Sequence, residues 1–109
     1  MEDRRQELLG ELERYYAACG WKVERAADGT VRAAGTGGVT WIGMAVVETD
    51  LVETGFAERL VELSDVRMAE DGARCPFELL PDEGCAAEVA TLLGQLRLAD
   101  RVAVYSLAA

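Results

Sequence analysis

The chain has 109 residues, half of them apolar and 28% charged, enough to bury one core in a single domain, 1–109, without disulfide or metal staples. Histidine is absent, which excludes Ser-His-Asp and Cys-His catalysis and any His-based metal site. The net charge of −9 equals that of residues 48–88 alone, where twelve acids meet only Arg59, Arg67 and Arg74, and no Lys or Arg occurs from Ala33 to Glu58, so a phosphate-neutralising face and a nucleic-acid partner are not expected.

The opening MEDRRQELLGELER is charged and amphipathic, unlike a basic-then-apolar leader, and no apolar run is long enough to span a bilayer. With three irregularly spaced cysteines, Cys19, Cys75 and Cys85, this leads to the expectation of a cytoplasmic protein with free thiols and no membrane partner. Leu8, Leu12, Tyr15, Tyr16 and Cys19 form one helical stripe, predicting a helix from about Asp3 to Cys19 that Gly20 stops.

WKVERAADGTVRAAG and VTWIGMAVV predict a three-stranded meander. A two-residue loop at Asp28-Gly29 would set Arg25 opposite Arg32, a repulsive pair. A three-residue loop, Ala27-Asp28-Gly29 with Gly29 left-handed, sets Glu24 opposite Arg32 instead. It also gathers Trp21, Val23, Val31 and Ala33 on one face, so charge and burial select the same register. Gly35-Thr36-Gly37-Gly38 is read as the second turn, because a strand follows it and the Lys-Ser/Thr of a phosphate loop is missing.

In the third strand both alternating sets are apolar: Val39, Trp41, Ala45 and Val47 on one side, Ile42, Met44 and Val46 on the other. It is therefore expected to be central and covered on both faces, with Gly43 marking the close approach of a helix. Asp50-Leu51-Val52-Glu53 has capping-box spacing, with Asp50 as the cap of a second helix whose inward residues are Phe56, Leu60 and Leu63. Asp71-Gly72 is a turn and Cys75 to Leu80 (CPFELL) a short strand, with Pro76 at its start or an edge. Asp82 caps a third helix with the stripe Ala86, Val89, Leu92, Leu93 and Leu96, and Arg97 in its last turn. Arg101 to Leu107 (RVAVYSL) is a final strand, apolar on both sides.

The fold class expected is α/β (α+β mixed), in the order α-β-β-β-α-β-α-β. A single mixed sheet, with an antiparallel meander and C-terminal parallel β-α-β units, carries helices on both faces. This order over roughly residues 3 to 80, with ELERYYAACGWKVE as the opening helix and strand, resembles the core of the PD-(D/E)XK nuclease fold. The third strand sits where that family carries E-x-K, but the matching positions here read Gly43-Met44-Ala45. The resemblance therefore implies a catalytically inactive, regulatory domain. If it still touches nucleic acid, it would do so through Arg4, Arg5, Arg14, Lys22 and Arg32.

Two sets of residues carry candidate chemistry. Glu48 and Asp50 follow the third strand, and Asp82 and Glu83 follow CPFELL. If those strands are adjacent and parallel, four acids gather at one sheet edge and form an oxygen site for Mg²⁺ or Ca²⁺. Alternatively, Asp50 and Asp82 only cap helices while Glu53 and Glu83 favour helix dipoles. Cys85 falls in the first turn of the third helix, where the dipole favours a thiolate and Asp82 and Glu83 oppose it. It is either a reactive thiol or a packed small apolar residue. The aromatic residues fall mostly on core faces, with Trp21 and Tyr16 available to a protein interface. The expectation is a non-enzymatic acidic module without cofactors, binding a protein partner or forming a homodimer through an apolar sheet edge. A divalent-metal-binding domain or metal-dependent enzyme is the alternative.

Overall fold

The computed structural model describes residues 2–35, 38–69 and 71–106. Helix α1 (Glu2–Ala18) is followed by strands β1 (Lys22–Arg25), β2 (Thr30–Ala34) and β3 (Thr40–Val46). Next come the one-turn helix α2 (Glu48–Leu51), helix α3 (Phe56–Ser64), strand β4 (Phe77–Pro81), a 3₁₀ turn at Glu83–Cys85, helix α4 (Ala86–Gln95) and strand β5 (Val102–Val104). The five strands form one sheet in sequential order, antiparallel from β1 to β3 and parallel from β3 to β5. This is the mixed α+β architecture that the apolar patterning calls for.

The register of the first hairpin is the one selected by charge. Glu24 pairs with Arg32 and Arg25 with Val31, and Ala26 N–H donates to Thr30 O across the three-residue loop, in which Gly29 has φ +84°. Asp28 accepts from the Thr30 N–H and hydroxyl and from Arg32, so the turn and the charged strand face stabilise each other. The second turn, at Thr36 and Gly37, lies outside the described residues.

The sheet separates two cores. On one face, α1 supplies Leu8, Leu9, Leu12 and Tyr16 against Val31, Ala33, Ala45, Val47 and Leu80. On the other, α3 (Phe56, Leu60, Leu63) and α4 (Val89, Leu93) pack on Ile42, Met44, Val46, Phe77, Leu79 and Val102. Both crossover helices share a face because the chain steps in one direction from β3 to β4 to β5, and crossovers of one hand then fall on one side. β3 is thus covered on both faces, as its doubly apolar sequence requires.

Several local expectations are corrected. In α1 the buried stripe takes in Leu9 and leaves Tyr15 and Cys19 exposed. Asp50 does not cap a long second helix. It is the third residue of α2, its Oδ2 accepts the Val47 N–H at 2.8 Å, and α3 begins separately after Gly55 at φ +89°. The CPFELL strand begins at Phe77 and ends on Pro81, and it is central rather than an edge. The final strand spans only Val102–Val104 and forms an edge, with Ala103 and Val104 exposed, and Leu107 lies outside the described residues.

Arg97 is not in the last turn of α4 but just beyond it, at φ +59°. Leu98 N–H reaches Leu93 O and Arg97 N–H reaches Gly94 O, which is a Schellman closure. The same closure ends α1, where Trp21 N–H reaches Tyr16 O and Gly20 N–H reaches Ala17 O, but there the left-handed position is a glycine at φ +87°. A non-glycine residue is strained in this region by about 1–2 kcal/mol. Glycine gives some of that back in unfolded-state entropy. Arg97→Gly is therefore expected to stabilise the fold by about 0.5–1 kcal/mol, measured as a raised urea midpoint at unchanged m value.

Candidate functional site

The most unusual side chain in the molecule is Glu78. It is the second residue of β4, where alternation turns it, with Leu80, toward α1 and away from the side of Phe77 and Leu79. It is only 8% exposed, and among the described residues no Arg or Lys forms an ion pair with it. Two tyrosines satisfy it instead. The Tyr16 hydroxyl donates to Oε1 at 2.6 Å, and the Tyr105 hydroxyl donates to Oε2.

Each donor is placed by the fold. Tyr16 lies in the last turn of α1, fully buried, with its ring over Gly43. A Cβ at Gly43 would meet the Tyr16 hydroxyl at 2.8 Å, so glycine there is what lets the ring lie against β3. Tyr105 follows β5, anchored by its N–H to Leu79 O at 2.8 Å. Burial, then the hydrogen bond to Glu78 and its charge, push both hydroxyls far above the ordinary tyrosine range, so both remain protonated donors. Tyr15 extends the group: its ring lies 5.5 Å from those of Tyr16 and Tyr105, and its hydroxyl helps to raise that of Tyr105.

Tyr15 and Tyr105 also line an open cleft of about 580 Å³ between α1 and the ends of β4 and β5, with Glu11, Arg14 and Leu80 among its walls. Ligands of open parallel sheets sit beyond the carboxyl ends of the strands, where this cleft lies.

The acids singled out in the sequence are arranged differently. β3 and β4 are adjacent and parallel, so all four lie at the same end of the sheet. Helix α1 then draws two of them away. Asp50, 5% exposed, is held bidentately by Arg5 at 2.8 and 2.9 Å, and Asp82 is held by Arg4 at 3.1 Å. Glu48 and Glu83 remain exposed, Glu48 beside Gly84. Among the described residues no three acids or cysteines are placed to hold a metal ion. Asp82 precedes the 3₁₀ turn, but its side chain makes no cap hydrogen bond.

Cys85 is fully buried, its Sγ directed at the carbonyls of Val46 and Asp82, and burial and the Asp82 charge push its thiol up. Cys75 is likewise buried and raised, and Cys19 is exposed. Of the basic residues named for nucleic acid, Arg4, Arg5, Arg14 and Arg32 each pair with an acid, while Lys22 is exposed on β1. Gly43, Met44 and Ala45, at the positions matched to E-x-K, are all buried. Tyr16, fully buried, is not available to a partner, and Trp21 is half-buried, stacked on Trp41 at 4.0 Å.

The patterning read from the sequence did not single out Glu78. Its signal was present: one acid inside an otherwise apolar strand that follows a strand covered on both faces. No helix among the described residues is long and apolar enough to cross a membrane. No protein-family model matches the chain, and no curated protein or solved structure matches it.

Proposed function

We propose that the protein is a non-enzymatic interaction module that associates with a second copy of itself through the free edge of β5. The observation that supports this most directly is the contrast between the two sheet edges. β1 carries Lys22, Glu24 and Arg25, the charges by which natural edges discourage pairing. β5 reads Val-Ala-Val, with Val104 41% exposed and no charge or proline from Val102 to Ser106.

The edge also has free pairing groups. Tyr105 N–H points inward, to Leu79 O, so strand alternation turns the Val104 N–H and C=O outward. An antiparallel copy centred on Val104 would exchange two hydrogen bonds there, and a two-fold axis makes that pairing self-complementary. The excess of acids lies in residues 48–88. The approach to β5 carries Arg97, Asp100 and Arg101, so like-charge repulsion does not oppose contact at this edge.

Sedimentation equilibrium tests the proposal. The mass average is expected to rise from monomer toward dimer between about 10 μM and 1 mM. Val104→Pro removes the outward N–H without touching the β4–β5 ladder and is expected to hold the chain monomeric, with helix and sheet content unchanged. A wild-type chain that stays monomeric at the upper concentration, or a Val104→Pro chain that still dimerises, overturns it.

A further inference from the structure

Among the described residues two acids are buried, and they are treated in opposite ways. Asp50 is matched by a guanidinium on both oxygens, whereas Glu78, nearly as buried, has among the described residues only the Tyr16 and Tyr105 hydroxyls. Hydrogen bonds satisfy its lone pairs but do not cancel its charge, and a buried carboxylate without a counter-cation is uncommon. Next to it is a cleft with two aromatic side chains in its wall: Tyr105, whose hydroxyl touches Glu78, and Tyr15, 49% exposed.

The polarity of this arrangement is fixed. A carboxylate only accepts, so the single proton of the Tyr105 hydroxyl is committed to Glu78, and the Tyr105 oxygen can only accept in turn. Tyr105 therefore offers the cleft a lone pair, and both rings offer their negative faces. Glu11 and Arg14, on the cleft wall, pair with each other and cancel. Glu78 then supplies the net charge behind the cleft. Leu80 and Leu12 add apolar wall.

We propose that this cleft binds a small organic ammonium ion, its cationic head on the Tyr15 and Tyr105 rings with Glu78 behind them and its apolar body against Leu80. Cation–π attraction reaches about 6 Å from a ring centroid, and the two rings are 5.5 Å apart, so one head group can be within reach of both. The volume of about 580 Å³ suits a ligand of small-molecule size.

The test is an NMR titration of the full chain with phenethylammonium chloride, and in parallel with sodium phenylacetate, which has a similar shape and the opposite charge. Phenethylammonium is expected to shift the ring resonances of Tyr15 and Tyr105 and to saturate at a Kd of roughly 0.1–1 mM, with phenylacetate at least about tenfold weaker. Glu78→Gln retains a hydrogen-bond acceptor and removes the charge, and it is expected to weaken the ammonium about tenfold while leaving phenylacetate unchanged or tighter. Tyr15→Leu, at a half-exposed site that does not test folding, is expected to weaken the ammonium several-fold. Equal affinity for the two probes, no shift at either ring up to about 10 mM, or an unchanged affinity in Tyr15→Leu overturns the proposal.

Discussion

Replacing Arg5 with alanine is expected to lower the unfolding free energy by about 3–5 kcal/mol, measured by urea denaturation, which is a large fraction of the stability of a domain this size. The reason is what the substitution leaves behind. Asp50 is 5% exposed, and of the three hydrogen bonds its carboxylate accepts among the described residues two come from Arg5, at 2.8 and 2.9 Å, and the third from Val47 N–H at 2.8 Å. Without the guanidinium a charged carboxylate stays in the interior with one donor, or α2 must open to hydrate it. Because the Arg5 side chain is itself 22% exposed, the loss belongs at the lower end of that range. Arg4→Ala is the internal control. Its partner Asp82 is 32% exposed and Arg4 40%, so that loss should stay below about 1 kcal/mol. Asp50→Asn keeps an acceptor for Val47 and separates the charge from the geometry. Its loss should fall between the two, and the Arg5→Ala, Asp50→Asn cycle should show strong coupling. Equal losses for Arg4→Ala and Arg5→Ala would mean that the α2 pair is as hydrated as the surface one.

The difference between these two arginines marks where sequence patterning stops. What depends on neighbours in sequence was legible. The hairpin register followed from avoiding Arg25 against Arg32, and the covering of β3 from its two apolar sets. The helix approach followed from a lone glycine in that strand, and Tyr16 does lie over Gly43. What depends on tertiary meeting was not. Asp50 and Glu53 have the spacing of a capping box, and the same Asp50 stands three residues after Val47, whose N–H it takes. Nothing local distinguishes the two, because the choice is made by Arg5, 45 residues away. VAVYS reads the same in a central strand and at an edge, so the exposure of Val104 is settled by the chain having no sixth strand to add among its described residues. Glu78 is the clearest case. Its partners lie 62 residues before it and 27 after, and only the assembled sheet and α1 bring them to one carboxylate.

The same carboxylate gives Gly43→Ala an expected cost of about 2–5 kcal/mol, although alanine is otherwise the better residue in a strand by about 0.5–1 kcal/mol. The added Cβ would stand 2.8 Å from the Tyr16 hydroxyl oxygen, 3.0 Å from Cε2 and 3.3 Å from Cζ. The ring has nowhere to yield. It is fully buried, it stacks on Trp21 at 5.7 Å, and its hydroxyl is held at 2.6 Å by Glu78. The cost adds along two routes: β3 and α1 move apart, which costs about 1–3 kcal/mol in packing, and the hydroxyl is drawn off Glu78, forfeiting a charge-assisted bond worth about 1.5–3 kcal/mol. Thermal unfolding should show the midpoint falling by roughly 10–20 °C. Tyr16→Phe separates the two routes. It keeps the ring and removes only the bond, so its loss should be about 1.5–3 kcal/mol, and Gly43→Ala should exceed it if packing and hydrogen bond are lost together. If Gly43→Ala costs less than about 0.5 kcal/mol, the ring is not seated on β3, and Glu78 would have to be hydrated rather than held by Tyr16.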